Sequence, residues 1–156
     1  MGEVLTTSSE ETMAWGARLG ALLQPGDLVC LYGEIGSGKT TLTKGIVQGV
    51  GGIAKEAVTS PTFTLLHIYQ GRFPVYHFDL FRIGSLEELE EIGYREYFQG
   101  DGICIVEWTE KGEEILPLER LDIFLSFGER EEERKIILKP QGERFRHLCR
   151  QLGGKG

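Results

Sequence analysis

The segment from residue 28 to residue 50 combines a short apolar run, a glycine-rich turn and a helical pattern. The run LVCLY, at 28–32, is bounded by turn signals and is typical of a buried strand. The stretch KTTLTKGIVQGV, at 39–50, has helical apolar spacing and is followed by two glycines. A strand, a glycine-rich turn and a helix in this order predict an α/β fold that binds phosphate at the turn.

The turn matches the Walker A pattern from Gly33 to Thr40, and its residue types explain why such a turn binds phosphate. Glycine has no Cβ, so backbone N–H groups can approach phosphate oxygens closely. Lys39 would bring a positive charge to the β- and γ-phosphates, and Thr40 would give a hydroxyl ligand to Mg²⁺. The positive end of the following helix favours the same anion. We therefore predict a nucleoside triphosphate and Mg²⁺ as ligands.

A P-loop also needs an acidic residue at the end of a neighbouring strand to complete the metal shell. The run ICIV at 103–106 predicts such a strand, and Glu107 follows it directly. The alternative for Glu107 is a solvated strand end. We predict that Glu107 and Thr40 hold Mg²⁺. Whether Glu107 binds the metal directly or through water stays open, because Asp is the commoner residue here.

The sequence favours ATP over GTP. GTP-specific proteins of this class usually read guanine with an Asn/Thr-Lys-x-Asp motif, and the chain contains no Asn. Its Thr43-Lys44 pair is followed by Gly45 and Ile46, so the required Asp is missing. ATP is therefore the predicted nucleotide.

The composition argues against a protein that holds nucleic acid or a membrane by itself. The net charge is −7, whereas neutralising phosphates requires clustered Lys and Arg. No apolar run approaches the roughly 20 residues that a membrane-spanning helix needs. The three cysteines are far apart, which favours a reducing compartment. We expect a cytoplasmic protein with no membrane and no DNA partner.

The expected architecture is a single domain over residues 1–156 with a basic C-terminal helix at about 142–152. The last 18 residues carry five basic side chains and one acidic side chain. They form either a solvated helix face or a contact for an acidic partner, or for RNA held by that partner.

Other segments predict the rest of the fold. Capping boxes at Ser8 and Ser85 each predict the start of a helix. A hairpin is expected around 70–72, and an antiparallel pair is expected over 120–128 and 133–140. Together these elements predict an α/β, P-loop NTPase-like three-layer sandwich with a mixed central β-sheet.

Three further segments form a specific set with the glycine loop. They are TSPTFTL at 59–65, HFDLFR at 77–82 and VEW at 106–108. In this order and spacing, the four segments closely resemble the TsaE family, also called YjeE, from about Thr7 to about Ile137. That family comprises bacterial P-loop ATPases that assist the synthesis of threonylcarbamoyladenosine in tRNA.

The resemblance implies an ATP-binding and ATP-hydrolysing accessory subunit. It would act on a TsaB–TsaD pair during repeated threonylcarbamoyl transfer to adenosine 37 of tRNA, and would meet tRNA only through that complex. Hydrolysis by the isolated Mg-dependent ATPase would be slow and stimulated by the partner.

The resemblance also assigns residues to the site. Thr62 corresponds to a loop residue that reaches the γ-phosphate or its metal. Asp79 corresponds to a carboxylate that positions the attacking water or the metal's water. The alternative for Asp79 is a turn-capping role. Ser9 would lie near adenine, and Trp108 would lie at the rim of the site unless it fills the core. The residues that would wrap the phosphates are Glu34, Ile35, Gly36, Ser37, Gly38, Lys39, Thr40 and Thr41.

Other residues and functions stay open. His77 is interpreted as a structural hydrogen-bonding residue, and Arg82, Arg130 and Arg134 as salt-bridge residues that could also neutralise phosphate. A P-loop small-molecule kinase is one alternative function, although no Arg-rich lid stands out. The other is a nucleotide-gated binding module without hydrolysis.

Overall fold

The computed structural model describes residues 2–54, 57–58 and 64–153, which form one sheet and five α-helices. The strands are β1 (Gly2–Thr6), β2 (Leu28–Tyr32), β3 (Leu66–Gln70), β4 (Pro74–Asp79), β5 (Ile103–Glu107), β6 (Arg120–Phe127) and β7 (Arg134–Gln141). The helices are α1 (Ser9–Leu22), α2 (Lys39–Val50), α3 (Glu87–Ile92), α4 (Tyr94–Phe98) and α5 (Glu143–Gly153). None of these helices has the length and apolar character to cross a bilayer.

The sheet is mixed, as expected, with strand order β1-β7-β6-β2-β5-β4-β3. Its four central strands, β6, β2, β5 and β4, run parallel to one another. The pairs β1–β7, β6–β7 and β3–β4 are antiparallel, so the predicted hairpin and C-terminal strand pair are confirmed. Parallel strands bring their carboxyl ends to one edge, which is where α/β proteins place their sites.

Alternate residues of the central strands enter two separate cores. Val29 and Leu31 of β2 pack with residues of α1, α2 and α5, whereas Leu28 and Cys30 pack with residues of α3 and α4. The helices therefore cover both faces of the sheet and give the predicted three-layer sandwich. Each such fully buried aliphatic side chain contributes about 1.5–3 kcal/mol relative to an exposed one.

Close contact between α1 and α2 places the start of α1 near the glycine loop. A Cβ built at Gly45 of α2 would overlap the carbonyl oxygen of Met13, and one built at Gly20 of α1 would overlap that of Ile46. Only glycine permits this backbone approach. The contact holds Ser9 and Thr12 beside the loop that precedes α2.

The two predicted capping boxes have different outcomes. The one at Ser8 is confirmed, because Ser8 Oγ accepts the Glu11 N–H at 3.1 Å at the start of α1. The capping box at Ser85 is wrong: α3 begins at Glu87 without a side-chain cap, and the Glu88 carboxylate accepts the Gly84 N–H at 2.9 Å instead. The sequence SLEELEEIGYREYF, at 85–98, predicts one helix, but the structure has two, α3 and α4, separated by Gly93 in the left-handed region at φ 75°. Strand β1 was not predicted.

The basic C-terminal helix is partly neutralised within the chain. Arg144 reaches the turn before β2, where its Nη2 donates to Asp27 Oδ2 at 2.6 Å. Arg146 and Arg150 both donate to the Glu143 carboxylate. Arg144 therefore anchors α5 to the body of the protein, and it does not belong to a solvated face.

Candidate nucleotide-binding site

The glycine loop leads from the end of β2 into an α-helix that begins without a side-chain cap. Gly38 is the N-cap of α2, with φ 106°, and no side chain accepts a hydrogen bond at this helix start. A residue with a Cβ would be strained at that φ. The first N–H groups of a helix have no partner within the helix, so an uncapped start favours an anion.

An open cleft of about 290 Å³ lies in front of this helix start. It joins the loop to the carboxyl end of β5, the strand that lies next to β2 in the sheet. All of its lining residues were predicted to bind nucleotide or metal: Glu34, Ile35, Gly36, Gly38, Lys39, Thr40, Thr41, Glu107 and Trp108. Ser37, also predicted, is instead buried beneath the loop, and its Oγ has no partner among the described residues.

A second cleft, of about 220 Å³, lies on the α1 side of the same loop. Ser9 lines it, together with the loop residues Gly36, Gly38 and Thr41, which both clefts share. Ser9 and Glu107 thus line two different clefts, which share the glycine loop. This arrangement is compatible with a base near α1 and a triphosphate near β5.

Lys39 is a nearly buried cation, 6% exposed, at the floor of the first cleft. Its Nζ donates to the carbonyl oxygens of Gly33 and Glu34, and it lies 3.8 Å from the centre of the Trp108 ring. Burial lowers the pKa of Lys39, and the charge of Glu107 opposes that effect. The described hydrogen bonds of this ammonium go to neutral oxygens, whereas phosphate would provide charged ones.

Trp108 has an unusual backbone conformation that directs it to the cleft. Its φ is +57°, in the left-handed region that residues other than glycine rarely occupy. The ring also packs against Phe81, with ring centres 4.8 Å apart. Trp108 therefore lines the rim of the cleft and also packs against the core on the α3 and α4 side of the sheet. It combines the two locations considered for it, the rim and the core.

Glu107 and Asp79 end neighbouring parallel strands and are paired in register. Glu107 is 2% exposed, and its Oε2 lies 2.6 Å from His77 Nε2 and 3.4 Å from Thr43 Oγ1. Asp79 is fully buried, and its Oδ1 accepts the Phe81 N–H at 2.8 Å. The turn-capping geometry is thus present at Asp79, which does not line the first cleft.

The donors at the cleft fit a nucleotide that carries Mg²⁺. Thr40 and Glu107 offer hard oxygen ligands, which Mg²⁺ prefers. Within the described ranges, no cluster of three or more His, Cys, Asp or Glu side chains could hold a metal alone. Magnesium suits such a site, because it keeps several waters and takes further ligands from the phosphates.

Some residues near the clefts were missed or misjudged from the sequence. Thr43, four residues after Lys39, lies on the same side of α2, and helical spacing could have identified it. Arg134 was expected to form a salt bridge, but its Nη2 donates to the Gly36 carbonyl at 3.3 Å. That contact depends on the register of β7, which the sequence does not reveal. Thr62 lies outside the described residues.

Comparison with known proteins identifies the family. The family model described as "Threonylcarbamoyl adenosine biosynthesis protein TsaE" matches residues 6–136. A protein named tRNA threonylcarbamoyladenosine biosynthesis protein TsaE from Bacillus subtilis is 42% identical over 148 residues, covering 94% of this chain and 90% of the relative. A protein of the same name from Haemophilus influenzae is 46% identical over 116 residues, which cover 73% of this chain and 70% of that relative.

A solved structure agrees with the sequence matches. The crystal structure of Bacillus subtilis YdiB superposes with a TM-score of 0.78 at 37% identity, covering 97% of this chain and 93% of that one. The family resemblance seen in the four sequence segments is confirmed. This chain belongs to the TsaE family.

Proposed function

We propose that the chain is an ATP-binding and ATP-hydrolysing subunit in the biosynthesis of threonylcarbamoyladenosine in tRNA. Membership of the TsaE family supports the role in this biosynthesis, and the residues that line the first cleft support the binding of ATP. The observation that carries the proposal is one juxtaposition: Lys39 and Glu107 line the same cleft as the uncapped start of α2. Phosphoryl transfer relies mainly on positioning and charge stabilisation, and these groups supply both.

Each residue then has a defined task. The loop from Glu34 to Thr41 and the Lys39 ammonium bind the phosphates and stabilise charge that develops during hydrolysis. Thr40 and Glu107 would hold Mg²⁺, which when bound neutralises phosphate charge. Asp79 would position the attacking water, and Thr62 would sense the γ-phosphate. Ser9 and Trp108 would contact the nucleotide from the two sides of the loop.

The proposed partner is a TsaB–TsaD-like protein complex in the cytoplasm. A net charge of −7 suits a subunit that meets tRNA only through such a partner. Release of the γ-phosphate would remove its contact with the Thr62 loop, and the resulting change in that loop would alter how the partner binds.

The two alternative functions differ in the fate of the phosphate. A small-molecule kinase would transfer it to an acceptor, and a nucleotide-gated binding module would not hydrolyse ATP.

ATP turnover with and without a candidate TsaB–TsaD complex tests this function. We expect slow release of free phosphate by the chain alone and faster release with the complex. Lys39→Ala should abolish both rates, whereas Lys44→Ala, a lysine later in the same helix, should retain them. A phosphorylated small molecule would indicate the kinase, and no hydrolysis in the assembled complex would indicate the binding module.

A further inference from the structure

A chain of hydrogen-bonded side chains runs from the candidate metal ligand into the sheet. His77 Nε2 lies 2.6 Å from Glu107 Oε2, and His77 Nδ1 lies 3.2 Å from the Tyr69 hydroxyl. The Tyr69 hydroxyl in turn lies 3.5 Å from His67 Nδ1. His77 and Tyr69 are buried, so these groups face one another without bulk water. The tasks assigned above make no use of this chain.

The chemistry of the groups sets the direction of the bond to Glu107. An ionised carboxylate can only accept hydrogen bonds, so His77 Nε2 must donate. This holds whether or not Nδ1 also carries a proton. A charged acceptor makes the bond stronger than one between neutral groups, and 2.6 Å is a short separation for such a pair.

The backbone around His77 holds its ring in place. His77 lies in β4, paired with His67 of β3 on one side and with Ile105 of β5 on the other. Glu107 follows two residues after Ile105, and it therefore lies on the same face of the sheet. A histidine fixed between two neighbouring strands can hold the carboxylate in one orientation.

Among the described residues, His77 Nε2 is the donor that reaches the Glu107 carboxylate, and its bond ends at Oε2. The Thr43 hydroxyl lies 3.4 Å from the same oxygen, but its single proton is donated to the Lys39 carbonyl at 2.8 Å. Partners of this kind orient metal ligands, and their loss lowers metal affinity in other proteins.

We propose that His77 is a positioning residue that fixes Glu107 through Oε2, so that Oε1 serves the magnesium ion or its bound water. The proposal rests on the proposed function, because it assumes that Mg-nucleotide binds in the first cleft. It assigns to His77 a role in metal affinity, whereas a purely structural histidine would affect folding alone.

Two polar substitutions of His77 separate these roles. In His77→Gln the amide N–H lies near the position of Nε2 and can still donate to Glu107. In His77→Asn the amide lies near Nδ1 and cannot reach it. The measurement is the Mg²⁺ concentration that gives half of the thermal stabilisation by a non-hydrolysable ATP analogue. We expect this Mg²⁺ concentration to be near the wild-type value for His77→Gln and about 10- to 100-fold higher for His77→Asn.

Controls distinguish failure of this inference from failure of the proposed function. His67→Gln, at the far end of the hydrogen-bonded chain, should leave the Mg²⁺ requirement unchanged. Equal Mg²⁺ requirements for His77→Asn, His77→Gln and wild type would overturn the positioning role of His77. If wild type shows no stabilisation by Mg-nucleotide, the proposed function itself fails.

A measurement on the wild-type protein covers the case in which His77→Asn does not fold. The ¹⁵N resonance of His77 Nε2 should shift when Mg²⁺ is added to the protein saturated with the analogue. A resonance that stays unchanged as Mg²⁺ saturates the complex would contradict the proposal.

Discussion

Lys39 is a buried cation whose described hydrogen bonds go to neutral carbonyl oxygens, so an incoming anion would provide a charged partner for it. A ligand at 100 times its dissociation constant stabilises a protein by about 2.7 kcal/mol. Lys39→Ala should remove this stabilisation by Mg-ATP, measured as the shift in melting temperature. Lys44→Ala, in the same helix but outside both clefts, should keep the shift. An undiminished shift in Lys39→Ala would refute the assignment of the loop.

Glu107 is the one strand-end carboxylate that lines the first cleft within the part of the chain described. Glu107→Ala should raise the Mg²⁺ concentration required for nucleotide binding more than it weakens binding without metal. Titrating Mg²⁺ at a fixed concentration of ATP analogue measures this requirement. Glu110→Gln changes an exposed carboxylate nearby and serves as the control. Identical Mg²⁺ titrations for wild type and Glu107→Ala would exclude the metal role.

The contact between α1 and α2 sets the shape of the second cleft at the level of whole elements. Gly45→Ala would insert a methyl group against the Met13 carbonyl, and such overpacking costs about 1–3 kcal/mol. Gly153→Ala, at the exposed end of α5 with no atom within 4 Å of its Cβ, should be neutral or slightly stabilising. Urea unfolding of the two variants measures the difference. Equal stabilities would show that the helices separate without cost.

The elements differ in how far the sequence could predict them. The apolar runs of β2 and β5 are unambiguous, because strands buried on both faces lack polar positions. Strand β1 lies at the sheet edge, and its apolar Leu5 is exposed beside the half-buried Val4, so polarity does not alternate along its sequence. The break between α3 and α4 depends on Gly93 in a left-handed conformation, which a helical spacing pattern does not encode.

For the molecule as a whole, the predictable parts of the site are those that short local patterns define. The loop matches the Walker A spacing, Glu107 directly follows a buried apolar run, and the structure brings them to one cleft. The contacts of His77 with Glu107 and of Arg134 with Gly36 depend on strand register and side-chain direction. Periodicity does not determine those quantities, so His77 could be interpreted only as a structural histidine.

A crystal structure with Mg²⁺ and a non-hydrolysable ATP analogue would test the central claim most directly. We predict that the triphosphate contacts the backbone N–H groups of residues 34–41 and the Lys39 ammonium, with the metal ion between the phosphates, Thr40 and Glu107. A nucleotide bound at another surface, or a phosphate chain that does not touch this loop, would contradict the account.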